Sequence, residues 1–107
     1  MNTGFPSPAQ HYHEKNMNLQ DYLVPHPETT FFMRARTSYQ EHDLQKGDML
    51  VIDRGCQPSS RDLVVAVVDG QRCLVQFEEL ARHSAQKEDT AEIWGTVTYV
   101  VRSMRAP

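Results

Sequence analysis

A chain of 107 residues with 39% apolar content has room for one small core, and its apolar residues gather in a few runs, which argues against general disorder. A formal net charge of -3 argues against direct, sequence-specific nucleic-acid binding, which needs a basic stripe to neutralise phosphates. No apolar run nears the ~20 residues of a membrane span and no basic-then-apolar leader is visible, so the expectation is a cytoplasmic protein with no membrane contact.

Residues 1–17 are polar, carry Pro6 and Pro8 and show no clean period; they read as an extended arm ahead of a single β domain over 18–107. Asn18 is a capping residue for a short helical turn through Leu23, stopped by Pro25 and Pro27. Thr29 to Arg36 is β-rich around Phe31, Phe32 and Met33. Lys46-Gly47-Asp48 turns into Met49–Asp53, an unbroken apolar run of the kind found in buried strands. Arg54 to Arg61 holds Gly55, Pro58 and two serines and reads as a loop. Asp62 to Val68 is the strongest strand signal. Asp69-Gly70 is a hairpin turn, and Arg72 to Phe77 the returning strand. Residues 78–90 suit either a brief helix or a surface loop, and Glu92 to Ser103 forms a closing β segment. Many short strands and little helix predict a mainly β fold.

Few residues carry obvious chemistry. Cys56 and Cys73 read as free thiols, Cys56 exposed in its loop and Cys73 a small core residue of the returning strand. His11, His13, His26, His42 and His83 lack ligand spacing and read as surface or turn residues, so no metal and no cofactor is expected. Trp94 reads as core first and as an interface anchor second.

Several blocks stand in a familiar order: Gly4-Phe5-Pro6-Ser7-Pro8-Ala9, His26-Pro27, Phe32 to Ala35, Lys46-Gly47-Asp48-Met49-Leu50-Val51-Ile52-Asp53, Arg61-Asp62-Leu63-Val64-Val65-Ala66-Val67-Val68-Asp69-Gly70, Ile93-Trp94-Gly95-Thr96-Val97, and Tyr99 to Arg105. Together they resemble the UmuD proteins of the LexA-type self-cleaving serine peptidase family. The resemblance implies a mainly β, LexA/UmuD-type peptidase-like domain of short strands, with an extended N-terminal arm and one short helix. In that family the bond before the glycine matching Gly4 is cut, so a start at Met1 implies a chain made in the processed, UmuD-prime-like form.

The departures fall where the chemistry should be. The family activates a serine in Gly-Asp-Ser-Met with a lysine in Val-Lys-Lys-Leu. Such a lysine works as a base only if burial lowers its pKa enough to leave it neutral. Here the matching stretches are Arg36-Thr37-Ser38-Tyr39, one residue shorter than the family's, and Leu74-Val75-Gln76-Phe77. Ser38 falls near the nucleophile and Gln76 on the base, and an amide cannot take up a proton at neutral pH. Lys15, Lys46 and Lys87 lie in the arm, a turn and a charged stretch, and a strand-length segment of the family is absent between Phe77 and Glu88.

The expectation is a catalytically degenerate pseudo-peptidase, not an enzyme. The resemblance implies a homodimeric accessory subunit of a Y-family error-prone translesion polymerase in the SOS response, with the RecA filament as a further partner. The alternatives are an inactive modulator forming mixed dimers with a host UmuD, and a residual peptidase using Ser38. Interface candidates are Phe5, Pro6, Trp94, Tyr99, Val101, Arg102 and Met104.

Overall fold

Alternation, turn chemistry and a pair of bulges build one antiparallel sheet. The computed structural model describes residues 18–86 and 91–105, with side chains over 18–82 and 91–105. The arm over 1–17, with Phe5 and Pro6, lies outside the described residues. The elements in chain order are α1 (Leu19–Leu23), β1 (Thr30–Arg34), β2 (Met49–Asp53), β3 (Leu63–Val68), β4 (Gln71–Gln76), α2 (Phe77–Gln86) and β5 (Ala91–Val101). The expected mainly β fold is present, as a five-stranded antiparallel sheet. One short helix was expected; a second, α2, occupies most of the stretch that the sequence left open between helix and loop.

Local chemistry explains the boundaries. The Asn18 side chain accepts a hydrogen bond from the Gln20 N–H at 2.9 Å and starts α1. The β3–β4 hairpin turns on Asp69 and Gly70, with φ of 51° and 80°, so both sit in the left-handed region that a tight two-residue hairpin requires. The free N–H groups that open α2 are taken by a loop: Phe77 donates to the Asp62 carbonyl and Glu78 to the Ser60 carbonyl.

The strand order is β1-β2-β5-β3-β4, every pairing antiparallel, so the last strand in sequence is the middle strand in space. Among the described residues the pairs β1–β2 and β3–β4 are hydrogen-bonded into one sheet only through it. Alternating residues build two cores on opposite faces. Leu44, Leu50, Ile52 and Val65 form one, with Met33, Tyr39, Leu63, Leu74, Trp94 and Val97 packed around it. Val64 and Ala66 form the other beneath Leu80 of α2, with Val75 and Phe77 beside them.

β5 is bulged against both neighbours. Opposite β2 the register steps from Val51↔Tyr99 to Ile52↔Val97, leaving Thr98 as the extra residue; opposite β3 it steps from Val65↔Gly95 to Ala66↔Ile93, leaving Trp94 extra. Each bulge frees backbone groups and each finds a substitute. The Thr98 hydroxyl donates to the Val51 carbonyl at 3.2 Å, and the Arg54 guanidinium donates to the Trp94 carbonyl at 2.9 Å. Bulges increase local twist and coil a sheet. Phe31 on β1 and Arg72 on β4 sit on opposite edge strands, yet both reach Trp94 on the middle strand, so the sheet is curled toward closure.

Cys73 departs from expectation. It is exposed, not a core residue. β4 is an edge strand whose first three residues are exposed, and packing closes in only over its second half, where α2 follows.

Two outcomes test this architecture. Val65 is fully buried and Val67 only half-buried, so Val65→Asp should cost about 4 kcal/mol or more and Val67→Asp clearly less, as read by chemical denaturation. Equal stability of both variants and wild type would refute the placement of β3. Gly95 is buried where a Cβ would come within 2.5 Å of the Ile52 Cγ2, so Gly95→Ala should lose about 1–3 kcal/mol through overpacking. Ile52→Val, which removes the neighbouring Cδ1 methyl, should not rescue it, because the contact is with Cγ2.

Candidate functional site

The segment between β1 and β2 carries Ser38, and it is stitched into a fixed shape. Tyr39 and Leu44 exchange both backbone hydrogen bonds, at 2.9 and 3.0 Å, closing a tight loop around a 3-10 turn at Gln40–His42. Ala35 donates to the Asp48 carbonyl and Gly47 to the Ala35 carbonyl, both at 2.8 Å. The Ser38 Oγ accepts from the Lys46 backbone N–H at 3.2 Å, so the hydroxyl ties one limb of the loop to the other. Ser38 is exposed, and its contact with Lys46 is through the main chain.

Gln76 closes β4. Leu74 packs in the first core and Val75 in the second, so strand alternation turns Gln76 to the side of Leu74. There it borders a groove with Glu41, His42 and Glu79, and its Nε2 donates to the Arg61 carbonyl at 3.4 Å. Gln76 thus lies against the Glu41–His42 part of the loop that carries Ser38, and Ser38 itself does not line that groove. Lys46 is the only lysine among residues with described side chains, and it is exposed in a turn. No group of three or more His, Cys, Asp or Glu with metal-holding geometry occurs among the described residues, and no described helix is long and apolar enough to cross a membrane.

The strongest electrostatic feature clamps that same loop. Arg102, just past β5, meets the almost fully buried Asp48 with two parallel bonds, Nε to Oδ1 and Nη2 to Oδ2, each 2.8 Å. Its Nη2 also donates to the Asp43 carbonyl at 3.0 Å, and Asp48 Oδ2 accepts from the Gln45 N–H at 2.8 Å. The Arg102 bonds, followed by the Gln45 N–H, hold the Asp48 carboxyl at about 2 against an ordinary 3.8, although burial opposes the charge. The partners lie 54 residues apart, so no local pattern announces them. The sequence reading named Arg102 as an interface candidate; its guanidinium is engaged within the chain.

The remaining interface candidates fall into two groups. Trp94 is half-buried: it packs on the first core, Phe31 lies 5.4 Å from it, and the Arg54 and Arg72 guanidiniums stand 4.6 and 5.0 Å from its ring centroid. Tyr99 is 38%, Val101 45% and Met104 89% exposed, joined by Val100 at 41%. Pairing with β3 stops at Thr96, so beyond it β5 bonds only to β2 and one edge is open among the described residues. Tyr22 of α1 leans on Tyr99 at 6.0 Å.

The clamp has a pH signature. A carboxyl whose pKa is lower folded than unfolded stabilises the fold above its ordinary value and loses that contribution as pH falls toward its folded one. Asp48→Asn and Arg102→Ala should both lower the melting temperature at pH 7. The wild-type advantage over Asp48→Asn should shrink between about pH 3.8 and about pH 2. A gap unchanged across that window would separate Asp48 from the effect.

Comparison with known proteins agrees with this architecture. The model of the family described as Peptidase S24-like matches residues 1–97. The chain is 42% identical over 113 residues to Protein SamA of Salmonella typhimurium, covering 96% of this chain and 81% of that one. It is 34% identical over 114 residues to Protein ImpA of Escherichia coli, covering 95% and 79%, and 32% identical over 113 residues to Protein MucA of Salmonella typhimurium, covering 92% and 77%. A LexA-type sheet and a match over most of the chain place this protein in the Peptidase S24-like family, as a UmuD-like member.

Proposed function

We propose that this chain is a non-catalytic, UmuD-prime-like accessory subunit that acts as a homodimer beside an error-prone Y-family polymerase in SOS mutagenesis. The observation that carries the reading is the pair of positions a peptidase of this family would use. The end of β4 offers the amide of Gln76, and the Ser38 hydroxyl serves as an acceptor for a loop N–H. A serine–lysine mechanism needs a desolvated amine to take the hydroxyl proton, and the nearest described lysine is a solvated turn residue. The UmuD-like membership supports the setting in SOS mutagenesis and the choice of partner, with the RecA filament as a second one.

Dimerisation is supported by the far end of β5. Tyr99, Val100, Val101 and Met104 expose apolar surface along a strand with an open edge, and a second copy related by a two-fold axis would cover both. Such an interface is isologous, with Trp94 outside its centre and Arg102 serving it by fixing the strand end. Phe5 and Pro6 belong to the arm that would dock on the partner.

The test joins two measurements. The purified chain should leave an intact UmuD-like substrate uncut, with wild type and Ser38→Ala equally inert; cleavage that vanishes in Ser38→Ala would overturn the non-catalytic reading. A tagged chain should co-purify with a cognate Y-family polymerase as a dimer. Val101→Asp, exposed and so tolerated by the fold, should shift the dimer to monomer in analytical ultracentrifugation. Failure of both folded proteins to associate would sink the polymerase role.

A further inference from the structure

The curl of the sheet brings its two edges, unpaired among the described residues, to face each other across a groove of about 400 Å³. One wall is the end of β1 and the residues after it; the other is the first half of β4. The floor is apolar, with Leu50 and Val65 fully buried beneath it, and Met33 and Leu74 line its sides. Three arginines border it, Arg34 and Arg36 from one wall and Arg72 from the other, and no acidic side chain lines it. In a chain of net charge -3 that convergence runs against the overall balance. Among the described residues none of the three forms an ion pair: Arg34 donates to the Gly47 carbonyl at 2.8 Å and Arg72 stands over Trp94.

We infer that this groove docks an extended acidic segment of a partner protein, added as a strand to a free sheet edge and held by Arg34, Arg36 and Arg72. Each part of the groove answers a part of such a ligand. An edge strand offers unpaired N–H and C=O groups that bind any extended backbone, while pockets for alternate side chains select among them. In an extended segment alternate side chains point opposite ways, so one set enters the apolar floor and carboxylates of the other set reach the guanidiniums at the rim. Edge arginines also deter self-pairing between like edges, which leaves the groove open for a chain of opposite charge. A polynucleotide is the poorer fit. The Trp94 ring is flanked by two guanidiniums rather than open for base stacking, and the remaining surface is acidic in balance. The inference goes beyond the non-catalytic reading and does not require it, because docking needs no bond to be cut.

Fluorescence anisotropy on the full chain tests it, with three labelled probes: a peptide of about ten alternating Glu and Val residues, its Lys/Val counterpart, and oligothymidylate of similar length. The Glu/Val peptide should bind saturably and weaken as salt is raised; the Lys/Val peptide should not bind. Arg36→Ala/Arg72→Ala should weaken binding by about tenfold, with a thermal melt of the variant checking that it stays folded without the Arg72–Trp94 contact. Arg36→Lys/Arg72→Lys, which keeps charge but not the planar fork, should recover part of it. The proposal fails if the Glu/Val peptide does not bind, if the alanine pair leaves its affinity unchanged, or if oligothymidylate binds at these arginines in its place. It fails too if residues 1–17 prove to fill the groove, read as docking that appears only on their removal. Mass spectrometry of the recovered peptide keeps the two readings apart: a cut peptide overturns the non-catalytic reading and leaves docking intact, whereas an intact, unbound peptide does the reverse.

Discussion

Among the described residues the strand pairs β1–β2 and β3–β4 share no ladder hydrogen bond; β5 lies between them and bonds to both. Until that strand is in place, β1–β2 and β3–β4 are separate two-stranded ribbons, each marginal alone. Its insertion completes the first core, because Trp94 and Val97 of β5 pack against Leu50 and Ile52 from one hairpin and Val65 from the other. Most of the fold's cooperativity therefore rests on contacts that span much of the chain. The close approach of Gly95 to Ile52 shows how little slack the middle of the sheet holds.

The bulges in β5 connect that constraint to the surface. A flat strand would leave the sheet open, with its edges far apart. The extra residues at Trp94 and Thr98 increase coiling, and the side chains that satisfy the disturbed backbone, Arg54 and Thr98 itself, stabilise the distortion. Coiling carries Phe31 and Arg72 from opposite edges to the same indole ring. Core packing and the shape of the groove thus follow from the same irregularities.

The end of β5 does a second job. Arg102 reaches back to Asp48 and to the Asp43 carbonyl, so the loop that carries Ser38 is held by the strand that closes the sheet. A relative that uses this loop for catalysis would need it rigid. Here the Ser38 hydroxyl accepts from the Lys46 N–H within the loop, and the Gln76 amide at the end of β4 donates to the Arg61 carbonyl. The result is a firm scaffold between two edge strands that are unpaired among the described residues.

Much of this was legible in the residues. Asp69-Gly70 announced its hairpin because few residues accept two successive positive φ angles, and Met49–Asp53 and Leu63–Val68 announced buried strands by unbroken apolar runs. The ordered blocks along the chain pointed to the family. Residues 78–90 stayed ambiguous, because α2 is settled by Leu80 packing on Val64 and Ala66, and nothing within the segment encodes that neighbour. Cys73 looked like core because it alternates within a strand, and its exposure depends on β4 being an edge. The Asp48–Arg102 pair and the arginine-bordered groove were invisible for the same reason. Local sequence determines which segments extend and where they turn, since φ/ψ preference and side-chain period act over a few residues. Which segment lies in the middle, which edges stay open and which charges meet were decided only by tertiary structure, because those depend on residues far apart in the chain being brought to one place.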